Sequence, residues 1–394
     1  MNEMYKICFV TTVSLTLRTF VIDLARFLQQ TGKFEIHFIC DPDEMFAKSL
    51  PDAFQYHPVS MKRGISFDGI KAIWQMHRIF NRERFDLVQY STPNASCYAS
   101  IAARLAKLPV RLYCQWGIAY VGFRGFKRAL LKVIERLVCR NSTWIEPDSF
   151  GNLSFSQKEK LYQANKASVV MNGSASGVDL EKFDITQKEQ GRAEIRAQHS
   201  IPENAVVFVF VGRITRDKGI NELFEAAKML LKQHSDIYLL MVGEVEHSEL
   251  LNVELFRWSQ AEKRVVYCGF SREVEKHLAA SDVFVLPSYR EGFGSVVIEA
   301  EAMGLPVIVT ASPGLSDSVK QDVTGLAVTK ADYASLYAAM EQIYRRKKQR
   351  EAMGKAAFDF ASAQFERRRL FREIYLDRLR LINQTKERKK RTGR

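Results

Sequence analysis

The sequence predicts an α/β protein built as two doubly wound parallel-sheet domains in tandem. Three observations predict it. Short apolar runs of strand length alternate with helical stretches. The alternation is broken once, at Met171-Asn172-Gly173-Ser174-Ala175-Ser176-Gly177-Val178-Asp179, a segment dense in turn formers, and then restarts. A length of 394 residues also exceeds what one core usually fills.

In the first half, strands are expected at 6–11, 35–40, 86–90, 111–114 and 143–146, where four or more mostly apolar residues run together. Helices are expected between them at 19–30, 70–81, 95–106 and about 127–139. The linker falls at about 175–185, and 184–204 is polar, helical or irregular. The second half repeats the scheme, with strands at 206–211, 237–242, 265–267, 283–286, 306–310 and 325–328. Its helices are expected at 219–234, 250–260, 272–280, 295–303 and, briefly, near 316–320. Phe365, Leu370, Phe371, Ile374, Tyr375, Leu379 and Leu381 then mark one face of an amphipathic helix over 365–382, expected to pack back on the first domain. The basic remainder, 383–394, is expected to be disordered. The domains are thus 1–178 and 179–364, and paired sheets of this kind place a ligand in the crevice at the carboxyl ends of their strands.

Composition narrows the function. No apolar run approaches the roughly 20 residues that span a bilayer, and the run 7–10 is too short for a signal-peptide core. A cytoplasmic protein is expected. Six cysteines are scattered without a C-x-x-C pair, so buried thiols are expected, and seven dispersed histidines show no metal-ligand spacing. The net charge of +13 is uneven: +8 over 1–183, −6 over 184–340 and +11 over 341–394. A polyanionic partner, nucleic acid or anionic lipid, would therefore meet the first domain and the tail. The basic residues lack interleaved aromatics on a recognisable module, and the acidic middle argues against nucleic acid.

Two segments carry the chemistry. After the strand 283–286, Pro287 ends the run, and Glu291-Gly292-Phe293-Gly294-Ser295 forms a flexible turn that opens a helix. Free backbone N–H groups there can hold an anion. Glu291 and Glu299 flank the turn, which suggests a ligand with hydroxyls as well as phosphate. The second segment, Val209-Phe210-Val211-Gly212-Arg213-Ile214-Thr215-Arg216-Asp217-Lys218-Gly219, ends a strand at Gly212 and places Arg213 and Lys218 on the loop before a helix. Arg forks onto phosphate oxygens and Lys adds a compact charge, a pairing suited to a diphosphate.

Arg213 and Lys218-Gly219, followed by Glu291 and Glu299, resemble the donor site of retaining glycosyltransferases of family four, which have the GT-B fold. The turn 172–183 is similar to that family's linker, which ends in N-G-V-D-x-x-x-F. The resemblance is closest to enzymes that assemble capsule, exopolysaccharide or O-antigen units. It implies that Arg213 and Lys218 bind the donor diphosphate, that Glu299 accepts from the ribose hydroxyls, and that Glu291 holds a hydroxyl of the donor sugar. It also implies that Gly212, Gly292, Phe293, Gly294 and Ser295 present backbone to the ligand and that Phe270 stands by the base. Arg213, Lys218 and Glu291 would then be the catalytic set, with no protein nucleophile and no metal or other cofactor.

Several positions depart from the family. Gln115-Trp116 stands where many members carry His, and the first loop, with Ser14 and Thr16, lacks the usual glycines. Ser14, Thr16, Gln115 and Trp116 are the acceptor-side candidates. Gly314 stands alone where two glycines are usual, Asp317 replaces Glu, and Gly243-Glu244 replaces Gly-Asp. Asp41-Pro42-Asp43 is a D-x-D, but proline between the aspartates favours a plain loop.

Residues 123–138 mix Phe, Leu, Val, Lys and Arg at helical spacing. They read either as a helix lying on an anionic membrane or as a packed helix with a solvated basic face. The sequence is thus expected to encode a peripheral membrane enzyme that moves sugar from a UDP-type donor to a lipid-linked or oligosaccharide acceptor. A sugar-nucleotide 2-epimerase and a basic nucleic-acid-binding protein are the alternatives.

Overall fold

The computed structural model describes residues 4–61 and 68–392. The chain forms two compact units: residues 1–176 with 368–394, and residues 177–367.

Unit 1 holds strands β1 (Tyr5–Val10), β2 (Phe34–Cys40), β3 (Phe54–Pro58), β4 (Leu87–Tyr90), β5 (Val110–Gln115) and β6 (Trp144–Pro147). They form one parallel sheet in the order β3-β2-β1-β4-β5-β6. Side chains alternate across the pleat: Ile7 and Phe9 enter one apolar cluster, Cys8 and Val10 the other. Both faces are thereby covered, as a parallel sheet requires.

Unit 2 repeats this wind. Its strands β7 (Val206–Val211), β8 (Ile237–Val242), β9 (Val265–Gly269), β10 (Val283–Leu286), β11 (Val307–Thr310) and β12 (Gly325–Val328) lie in the order β12-β11-β10-β7-β8-β9. In each sheet the order reverses beside the first strand, between β1 and β4 or between β7 and β10. The loops leaving those strand ends diverge and open a crevice.

Several elements differ from expectation. Strand β3 lies at an edge with only Phe54 buried, and its sequence carries no apolar run. The helices Glu44–Ser49, Phe150–Lys158, Tyr333–Arg345 and Lys347–Phe365 were not anticipated. The helix expected at 19–30 begins earlier, as Ser14–Phe20 and Ile22–Gln30. Residues 316–320 form turns rather than a helix.

Unit 2 begins and ends side by side. Val178 N donates to Phe365 O at 2.8 Å and Arg367 N to Val178 O at 2.9 Å. Gly177, at φ +62°, has no room for a Cβ, which would lie 2.7 Å from Phe365 O. Phe365 packs on Phe293 and Phe360 in unit 2, so the expected boundary at 364/365 moves to 367/368.

The last helix, Arg367–Thr392, completes unit 1. Leu370, Phe371, Ile374, Leu381 and Ile382 enter the cluster that also holds Ile7 and Phe9. Arg378 is buried at its centre, 1% exposed. Its guanidinium grips Glu146 through both Nη atoms, with Nη2 to Oε1 at 2.9 Å, and its Nε donates to Gln89 Oε1 at 3.2 Å. The Glu146 carboxylate holds the Arg378 proton more tightly than usual, despite burial. Residues 383–392, expected to be disordered, continue this helix because Leu381 and Ile382 anchor it and Lys, Arg and Glu sustain it. Gly393 and Arg394 lie outside the described residues. Among those described, no helix is long and apolar enough to cross a membrane.

Candidate functional site

The ends of β7, β8 and β9 are laced together through glycine. Gly212 N donates to Val242 O at 2.9 Å and Gly243 N to Gly269 O at 2.8 Å. Gly243 sits at φ +142°, and a Cβ there would lie 1.9 Å from Gly212 O. Only glycine lets these strand ends approach so closely. From this seam Arg213 projects into solvent, 56% exposed, with Nη1 2.9 Å from Glu246 Oε2.

The loop then buries Ile214, and Thr215 Oγ1 donates to Asp217 Oδ1 at 2.6 Å. A 3₁₀ turn, Arg216–Lys218, leads to Gly219, the cap of the helix Ile220–Gln233. Gly219 has φ +72°, and its missing Cβ would stand 2.1 Å from Pro287 O. The end of β10 therefore rests directly on this turn, and Tyr289 N donates to Asp217 O at 2.9 Å. That packing carries the loop after β10 to the cation: Lys218 Nζ lies 2.5 Å from Glu291 Oε1. Both side chains are mostly shielded, 18% and 14% exposed.

The Glu291 loop is clamped from behind. A Cβ on Gly314 would meet Gly292 O at 2.0 Å, and one on Gly294 would meet Leu315 at 2.4 Å. Gly294, at φ +74°, caps the helix Ser295–Ala302. Phe293 turns its ring into the core against Phe365, so only its backbone can face a ligand. Glu299, half-buried in that helix, has its carboxyl pushed up to about 7 by burial, while Lys182 and Arg367 pull it down. Phe270, just after Gly269, is 68% exposed and offers a flat apolar face.

The structure thus joins Lys218 directly to Glu291, and it seats Arg213 after β7 and Phe270 after β9, on either side of β8. Sequence reasoning missed the anions among these cations. Glu246 holds Arg213, and Asp217 lies 3.6 Å from Arg290. Only Asp217, inside the motif itself, left a visible signal.

The unit 1 candidates fare differently. Gln115 is fully buried. Its Nε2 donates to Glu135 Oε1 at 2.6 Å, and its Oε1 accepts from Ser156 Oγ at 3.0 Å and Tyr162 OH at 3.2 Å. Tyr113 OH completes the cluster at 2.9 Å from Glu135. With its amide oxygen accepting twice and its nitrogen bound to Glu135, Gln115 is held as a core residue. Trp116 packs on Phe20, and Ser14 Oγ donates to Asp43 Oδ2 at 2.5 Å. Thr16 is half-buried in the first helix, its N–H bonded to Val13 O at 3.2 Å. Asp43 caps the helix Glu44–Ser49, and Asp41 accepts from Met61 N at 2.7 Å. Both aspartates of the D-x-D therefore organise backbone.

Tandem sheets of one wind, with glycine-laced and cation-bearing strand ends in the second, define the GT-B glycosyltransferase architecture. Residues 191–360 match the family described as glycosyl transferases group 1, and residues 6–149 match the glycosyl transferase 4-like family. The capsular polysaccharide biosynthesis glycosyltransferase CapM of Staphylococcus aureus is 30% identical over 304 residues, covering 76% of this chain and 78% of CapM. The chain belongs to these glycosyltransferases and is a transferase.

An Escherichia coli enzyme, UDP-Gal:α-D-GlcNAc-diphosphoundecaprenol α-1,3-galactosyltransferase, is 27% identical over 79% of this chain and 80% of its own length. Among solved structures, Anabaena HepE in complex with UDP superposes with TM-score 0.75 at 18% identity, covering 94% of this chain and 98% of that one. A Rickettsia africae glycosyltransferase gives TM-score 0.77 at 19% identity, covering 95% and 99%. These two likenesses establish the fold.

Proposed function

We propose that this glycosyltransferase takes sugar from a uridine diphosphate donor and passes it, with retained anomeric configuration, to a surface-polysaccharide glycan on a polyprenyl-diphosphate carrier. The observation that carries this reading is the shielded Lys218–Glu291 pair beside the glycine seam that bears Arg213. A cation and a carboxylate in contact can separate onto two parts of one ligand. The diphosphate draws Lys218 and Arg213, and Glu291 turns to a sugar hydroxyl. Phe270 supports the base, Glu299 accepts from ribose, and Gly212, Gly292, Phe293, Gly294 and Ser295 offer backbone. CapM by its name, and the E. coli relative by its UDP-Gal donor and diphosphoundecaprenol acceptor, support the substrate classes.

The chemistry requires no protein nucleophile. The bond from the anomeric carbon to phosphate oxygen breaks as the acceptor oxygen attacks from the same face. The acceptor proton passes to the departing diphosphate, whose growing charge Arg213 and Lys218 stabilise. Unit 1 holds the acceptor.

Unit 1 also suits a membrane surface. On the helix Gly125–Asn141, Phe126, Leu130, Val133 and Leu137 form an exposed apolar stripe, with Phe126 83% exposed. Exposed Lys127, Arg136 and Arg140 flank it. Such a helix lies in the headgroup region with its stripe inward. Placed there, the protein meets a polyprenyl carrier at its own level.

A thermal-shift panel of UDP-, GDP- and ADP-sugars tests the donor assignment, repeated with Arg213→Ala and Glu291→Ala. UDP-sugars are expected to stabilise the wild type and to lose that effect in Arg213→Ala. Failure of every nucleotide, or undiminished binding by Arg213→Ala, refutes the assignment. Epimerisation of a UDP-sugar without any acceptor would overturn the glycan-transfer reading.

A further inference from the structure

We propose that His199, Cys268 and His277 form a binding site for a divalent transition metal of the zinc type. The three come from different elements of unit 2. His199 directly follows the helix Lys188–Gln198, Cys268 lies near the end of the edge strand β9, and His277 sits in the short helix Val274–Ala279. Their ligand atoms all lie within 4.8 Å of one another.

Distances and proton positions suit a metal. Cys268 Sγ is 3.7 Å from His199 Nε2. A tetrahedral zinc bound to sulfur at about 2.3 Å and to imidazole nitrogen at about 2.0 Å would hold those atoms about 3.5 Å apart. His277 Nδ1 lies 3.0 Å from Glu273 O. A carbonyl only accepts, so Nδ1 carries the proton and Nε2 keeps its lone pair for a metal. Such a hydrogen bond on the far nitrogen is the usual support of a ligating histidine.

The surroundings are set for neutral ligands. Burial and the neighbouring His277 lower the His199 imidazole, favouring its unprotonated form. Burial pushes the Cys268 thiol up to about 11, so the metal-free cysteine holds its proton. Binding therefore forms a metal–sulfur bond and releases that proton to solvent. Among the nearby charged side chains, Glu273 is engaged with Lys276 at 2.8 Å, and Lys276 with Glu194 at 3.0 Å.

One sulfur and two imidazoles select zinc-like ions over magnesium or calcium, which prefer oxygen. Three protein ligands leave the fourth position to solvent. The frame that carries them is rigid, since Gly191 lets the two helices touch: a Cβ there would lie 3.1 Å from Ala279 Cβ. A bound ion staples those helices to the end of β9 and so steadies the Gly269–Phe270 turn.

The test is a Co²⁺ titration of the untagged, chelator-stripped full chain. Expected are saturation at one equivalent, a sulfur-to-metal charge-transfer band, intense tetrahedral d–d bands and displacement by Zn²⁺ but not by Mg²⁺. Cys268→Ser is expected to abolish the charge-transfer band, and His199→Gln to weaken binding at least about tenfold, the loss of one supporting ligand. A parallel measurement needs no variant. Zn²⁺ should shield Cys268 from alkylation, mapped by mass spectrometry, while the other five cysteines react as before. A Co²⁺ spectrum without the sulfur band, an unchanged spectrum in Cys268→Ser, or equal Cys268 alkylation with and without Zn²⁺ overturns the site.

Discussion

At the carboxyl ends of its strands, unit 2 turns on glycine and pairs its charges, with Arg213 at the surface, whereas unit 1 turns on hydroxyls and binds them to itself. Gly212, Gly243 and Gly269 knit β7, β8 and β9, so backbone lies bare and Arg213 stands outward. At the matching places in unit 1, Thr12 Oγ1 lies 2.8 Å from Thr92 Oγ1, Ser14 binds Asp43, and Gln115 is enclosed with Glu135. Identical winds therefore do not give equivalent sites. The wind supplies a crevice, but residue choice at the strand ends decides whether its polar groups face a ligand or one another.

The comparison can be broken at several points. The largest effect belongs to Arg378→Ala in unit 1. It leaves Glu146 buried without its partner, and it should cost about 3–5 kcal/mol, read by urea unfolding. A loss confined to a few tenths would mean that the ion pair does not hold the last helix. In unit 2, Arg213→Ala should spare stability, because the side chain is exposed, yet lower kcat by about 10²–10³ through lost charge stabilisation. Steady-state kinetics showing only a raised KM would place Arg213 outside the chemistry.

Gly219→Ala sharpens the role of backbone. It meets both a positive φ and the Pro287 carbonyl, so a loss of roughly 1–3 kcal/mol is expected, with thermal unfolding as the measure. Glu299 offers a test by pH. Its folded carboxyl titrates near 7, against 4.5 when unperturbed. Between those values the folded protein keeps a proton that the unfolded chain has lost, so this group's contribution to stability falls as pH rises through the window. Glu299→Gln should remove that slope and gain up to about 3 kcal/mol above it, while weakening donor binding. An unchanged slope would show that burial does not control this carboxyl. The smallest effect is expected for Phe126→Ser, which should lower affinity for anionic vesicles by about 1–2 kcal/mol in co-sedimentation, with stability unaffected.

Much of unit 2 was legible in its sequence because its inner strands are buried on both faces and spell unbroken apolar runs. The cation loop and the Glu291 turn follow such runs directly, so their place on the sheet could be read. Strand β3 could not be, since an edge strand with Gln55 outward carries no such run. Gln115 misled because its position at the end of β5 resembles a site while its partners, Glu135, Ser156 and Tyr162, lie 20 to 47 residues away. Arg378 was invisible for the same reason at greater range. Its carboxylate is 232 residues distant, and a cation in an amphipathic helix ordinarily faces water. Local pattern reveals burial, whereas pairing across the chain needs coordinates.

Synthesis meets this architecture in an unusual order. The ribosome delivers residues 1–176 before unit 2, but their apolar cluster is completed by Leu370, Phe371, Ile374, Leu381 and Ile382. Unit 2, contiguous in sequence, can complete its own core while that cluster still lacks its last helix. Incompletely buried apolar surface of this kind is aggregation-prone during synthesis, and termination anywhere before residue 370 deprives the cluster of all five of those side chains.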